Sequence, residues 1–65
     1  MLIPIEKPMM KHALELKDED TLFLPFWKPS QASPYVAYWN RKGMKLETTR
    51  EDLHGIWGTG IRKKR

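Results

Sequence analysis

Sixty-five residues without a cysteine limit this chain to one small domain that has neither a disulfide nor a thiolate metal centre, and His12 and His54 are too few for a structural metal. No stretch approaches the roughly 18 apolar residues of a membrane span, and MLIPIEKPMMKH has no apolar run of signal-sequence length, so the expectation is a soluble cytoplasmic protein with no membrane contact. The net charge of +4 is unevenly spread: residues 1–40 hold four Lys and five acids, whereas residues 41–65 hold eight Lys or Arg and three acids, an asymmetry that suits an anionic partner.

So short a chain buries only about 60% of its unfolded surface. The large side chains Phe23, Phe26, Trp27, Tyr35, Tyr38, Trp39 and Trp57 must therefore supply much of its core.

Residues 1–8, MLIPIEKP, read as an extended arm, because Pro4 and Pro8 restrict them to an extended or edge position. Residues 9–16 are ambiguous. Met9, Ala13 and Leu16 stand at helical spacings, while Leu14 and Leu16 alternate with Glu15 as in a strand. The polar break Lys17-Asp18-Glu19-Asp20 and the apolar run Thr21 to Trp27 then suggest a first hairpin, with Pro25 pushing its second strand towards an edge. The D-E-D cluster lacks the glycine and distal glutamate of a calcium loop and reads as a solvated turn.

Lys28 to Pro34, KPSQASP, reads as a connecting loop, and the five prolines, all within the first 34 residues, argue against a long helix there. The segment PYVAYWNRKGMKLETT that follows carries two strand-favouring runs, 35–39 and 44–48, around Asn40-Arg41-Lys42-Gly43, and predicts a hairpin with a cationic tip. Alternation would put Tyr35 and Trp39 in the core with Trp57, leaving Tyr38 exposed. Thr48 and Glu51 in S/T-x-x-E spacing predict a short helix over 49–57, its stripe Leu53, Ile56 and Trp57 lying across the sheet and Gly58 stopping it. Ile61 to Arg65 end the chain as a flexible basic tail.

The expected architecture is thus a single α+β, mostly β domain: a small twisted antiparallel sheet of three to four strands with one short C-terminal helix across it. No phosphate loop, dinucleotide fingerprint, zinc-protease helix or nucleophile elbow occurs in the chain, so a noncatalytic protein without cofactors is expected.

Two functions follow from these residues. In the first, Arg41, Lys42 and Lys45 at the hairpin tip and Arg62, Lys63, Lys64 and Arg65 in the tail contact phosphates, beside Tyr38 as a stacking ring. Nucleic acid, DNA ahead of RNA, is then the partner of an accessory or regulatory module. In the second, the aromatic strand 21–27 binds a protein partner, inhibits a larger machine or pairs with a second copy of the chain through an edge, with Phe23 and Trp27 at the interface. The order of basic hairpin, Thr-Thr strand end and acid-capped helix in YVAYWNRKGMKLETTREDLHGIW resembles AP2-like DNA-binding domains. That resemblance implies a sheet face carrying Tyr38, Lys45 and the tip cations in the DNA groove.

Overall fold

The computed structural model describes residues 1–64. Its elements in chain order are β1 (Leu2–Pro4), α1 (Met10–Glu15), β2 (Thr21–Pro25), α2 (Pro29–Arg41), β3 (Leu46–Leu53) and β4 (Ile56–Lys63). The α+β class holds, with a four-stranded mixed sheet in the order β1-β2-β4-β3. β1 runs parallel to β2, and β4 is antiparallel to both β2 and β3.

That parallel pair decides the ambiguous residues 9–16. Parallel neighbours need a crossover of a dozen or more residues, usually helical, whereas a hairpin would make them antiparallel. Residues 10–15 accordingly form α1, with Met10, Ala13 and Leu16 turned to the core and the Met9 N–H donating to His12 Nδ1 at 3.2 Å. The first expected hairpin is therefore absent, and residues 2–4 of the expected arm are a paired strand.

The second expected hairpin is overturned as well. Residues 29–41 form α2, burying Ala32, Val36 and Trp39 at i, i+4 and i+7. Pro29 occupies the first helical position, where its missing N–H costs nothing, and the Lys28 N–H donates to Gln31 Oε1 at 2.8 Å. Pro34 lies inside the helix. Its lost hydrogen bond is outweighed by the packing of the buried stripe, which local propensity does not register. Gly43, with φ of 100°, ends the helix in a Schellman arrangement: Met44 N donates to Trp39 O at 3.3 Å and Gly43 N to Asn40 O at 3.1 Å.

Residues 49–57, expected as the C-terminal helix, instead belong to a β3–β4 hairpin. His54 and Gly55, with φ of 53° and 82°, are both left-handed, as a two-residue type I′ turn requires, and the Gly55 N–H donates to Asp52 Oδ1 at 3.0 Å. Ile61 to Lys63, expected as free tail, complete β4, while Arg65 of that tail lies outside the described residues. With the segment 35–57 running helix, strand, strand, the layout of AP2-like domains does not apply to it.

Both helices cover one face of the sheet. Register places Leu22 opposite Ile61 and Leu24 opposite Thr59 on that face, where they join Ala13, Leu16, Ala32, Val36, Trp39 and Leu46 in the core. The buried Thr59 hydroxyl donates to Trp27 O at 2.7 Å and so satisfies its polar group. On the other face Phe23 stands opposite Gly60 and diagonal to Gly58. A Cβ added at Gly58 would fall 2.8 and 2.9 Å from the Phe23 ring, so the ring occupies the space left by a missing side chain.

Candidate functional site

The sequence nominated two surfaces, which fare differently. β2 lies between β1 and β4, so strand 21–27 is no edge, and Phe23 is only 1% exposed. A partner strand could add there only by displacing a native one, which removes Phe23, and a homodimer through β2, from the interface reading. Trp27 is half-buried, its ring 5.7 Å from Tyr35 in a row that continues to Trp39 at 6.3 Å.

The cations are brought together, though by a helix end instead of a hairpin tip. Arg41 is the last residue of α2, Lys42 caps it, and Lys45 follows the Gly43 turn. The Lys64 N–H donates to Lys45 O at 2.8 Å, which draws the end of β4 to the same place. All four side chains are exposed, and none forms an ion pair among the described residues. The negative end of the α2 dipole, roughly half a charge, is small beside four unit cations and is itself complemented by Arg41.

Two other nominated cations are engaged. Arg62 Nε lies 3.7 Å from Glu47 Oε1 across the β3–β4 ladder, and Lys63 Nζ lies 3.3 Å from Asp18 Oδ1. Lys45, Lys63 and Lys64 line a recess of about 650 Å³ together with Asp18 and Glu19. The acidic turn thus weakens the positive field on one flank. Tyr38, 50% exposed on α2, stands on the other flank with Lys42 Nζ 5.3 Å from its ring centroid.

From Tyr38 a shallow groove of about 410 Å³ runs between α2 and the start of α1, bordered by Pro8, Met10, Pro34, Tyr35, Tyr38 and Trp39. The sequence pattern hid it, because it requires residues 34–39 to be helical and residues 8–10 to cross over them. Trp57, expected in the core, is instead 49% exposed and meets Phe26, 61% exposed, edge to face at 5.6 Å, because residues 49–57 form a hairpin and not a helix laid across the sheet. Leu24 O accepts from Trp27 N at 3.3 Å across a turn with Pro25 at its second position and Phe26, at φ 62°, at its third. That is the geometry of a type II turn, which ordinarily takes glycine where Phe26 stands. Pro25 was the available signal, since proline favours the position before the left-handed residue.

No protein-family model, curated protein or solved structure matches the chain. No helix among the described residues is long and apolar enough to cross a membrane.

Proposed function

We propose that this chain is a noncatalytic nucleic-acid-binding module, acting as an accessory or regulatory factor, whose contact surface is the end made by the α2 C-terminus, the Gly43 turn and Lys64 just past β4. One observation carries the reading: Arg41, Lys42, Lys45 and Lys64 lie on neighbouring backbone there, exposed and without ion-pair partners among the described residues. Phosphates that neutralise such cations release counterions, which gives affinity together with a steep dependence on salt. A two-stranded ribbon entering the major groove has no part in this reading, because its expected first arm, residues 35–39, is helix and only Leu46 to Thr48 of the second is strand.

The test is fluorescence anisotropy with labelled DNA and RNA across a salt series. Binding should weaken steeply as salt rises, and Arg41→Glu with Lys42→Glu should abolish it while circular dichroism stays unchanged. Undetectable binding at low salt rejects the reading.

A second reading, a protein-interaction module, is favoured by the Phe26–Trp57 pair. An aromatic held in a left-handed conformation and facing solvent is the kind of strained feature that function retains. Under this reading Trp57→Ser removes a captured partner without unfolding the chain. Retention of that partner excludes this surface.

A further inference from the structure

We infer that the nucleic acid held at this end is single-stranded, with one unpaired base lying on Tyr38 and entering the apolar groove beside it; the inference rests on the nucleic-acid reading above. Three features meet at Tyr38. Its ring is half exposed, it borders the groove, and Lys42 Nζ stands 5.3 Å from its centroid. A base resting there puts its flanking phosphates beside Arg41 and Lys42, three and four residues or about one helical turn after Tyr38, and Lys45 just past the Gly43 turn.

The occupant is decided by surface chemistry. A groove lined by two tyrosines, a tryptophan, two prolines and a methionine offers apolar contact and aromatic faces but few hydrogen-bonding groups, while the Lys42 ammonium stands against Tyr38 at its border. An unpaired nucleotide has the same division, an apolar π-face attached to an anion. Duplex nucleic acid keeps its base faces stacked and presents phosphates with polar groove edges, so it can use the cations but not the groove. A neutral apolar peptide would fill the groove and leave the cations idle. Because stacking accepts any base and little in the groove can read an edge, binding should be tolerant of sequence.

The experiment compares a labelled oligothymidylate with a duplex of mixed sequence, by anisotropy at matched salt, for the wild type and for Tyr38→Ala, Tyr38→Phe and Lys42→Ala. The single strand should bind about tenfold more tightly than the duplex, and Tyr38→Ala should lose about tenfold on the single strand while leaving the duplex unchanged. Tyr38→Phe, which keeps the aromatic face, should bind as the wild type does, and Lys42→Ala should weaken both ligands. Tyr38 is exposed, so these variants test contact without disturbing the core. Equal affinity for the two ligands, or a Tyr38→Ala variant that binds the single strand normally, overturns the inference and leaves the nucleic-acid reading standing. Failure of the wild type to bind either ligand at low salt rejects both.

Discussion

The Asn40 side chain stands in for a strand next to Leu46. Its Oδ1 accepts from Leu46 N at 2.9 Å and its Nδ2 donates to Leu46 O at 3.2 Å, so one amide side chain at the end of α2 satisfies both backbone groups at the start of β3. The pair also ties the end of α2 to the start of β3. Asn40→Ala should destabilise the fold by about 1–3 kcal/mol, because two partly buried backbone groups lose their partner together. Asn40→Asp should be at least as damaging, since a carboxylate oxygen would then face the Leu46 carbonyl. Urea denaturation of the three proteins decides the order. An Asp variant as stable as the wild type would mean that the carbonyl contact contributes nothing.

Gly58 and Gly60 test how the helix-free face is closed. A Cβ at Gly60 would stand 2.5 Å from Thr49 Oγ1, 2.6 Å from Glu51 Cγ and 2.7 Å from Thr21 Cγ2, all of them side-chain atoms able to move. At Gly58 the obstacles are the Leu24 carbonyl and the Phe23 ring, of which the first is backbone. Neither glycine has a left-handed φ, so the comparison isolates packing. Gly60→Ala is expected to cost about 1–2 kcal/mol and Gly58→Ala about 3 kcal/mol or more. Thermal melts giving the reverse order would show that the β2–β4 pair shifts more readily than these distances allow.

Phe26 separates conformational strain from contact. In the left-handed region a non-glycine residue loses about 1–2 kcal/mol, whereas an edge-to-face ring pair contributes about 0.5–1.5 kcal/mol. Phe26→Ala gives up the ring and keeps the strain; Phe26→Gly gives up both. The glycine variant should therefore be the more stable of the two by about 1 kcal/mol, measured by chemical denaturation. An alanine variant that matches it would argue that the turn relaxes out of the type II form.

What the residue pattern conveyed, and what it concealed, can be traced to a few positions. Leu22 to Pro25 is an unbroken apolar run, and it lies in a strand, Thr21–Pro25. Tyr35 to Trp39 is just as rich in strand-favouring side chains, yet it is helical, because Ala32, Val36 and Trp39 form a buried stripe that pays off only against a sheet assembled from the rest of the chain. Gly43 does require a positive φ, as a hairpin turn would, but the same requirement is met by a helix C-terminus. The true hairpin signal was His54-Gly55, with histidine where asparagine is more usual. Charge clustering by sequence position pointed to Arg41, Lys42, Lys45 and Lys64, which the fold leaves exposed and without ion pairs among the described residues. It could not reveal that β4 pairing would set Arg62 against Glu47, or that the turn after α1 would bring Asp18 to Lys63.

That last contact yields a prediction about binding in which removing an acid strengthens it. Asp18 is largely exposed and sits 3.3 Å from Lys63, in the recess that Lys45 and Lys64 also line. An exposed ion pair contributes about 0–1 kcal/mol to folding, so Asp18→Asn should melt close to the wild type. Its effect on an approaching phosphate is larger in consequence, because the substitution both frees one cation and removes one repelling charge. On the proposed single-strand reading, affinity for single-stranded DNA should rise, and the slope of log affinity against log salt should steepen by about 0.7, the increment for one added phosphate contact on a single strand. Glu47→Gln offers the matching control on the opposite sheet face, where Arg62 would be freed on the side away from the helices. If Asp18→Asn tightens binding and Glu47→Gln does not, the strand passes over the helix-covered side of the β4 end. Unchanged affinity and slope in both variants would place bound phosphates away from β4 altogether, restricting the contact to Arg41, Lys42 and Lys45.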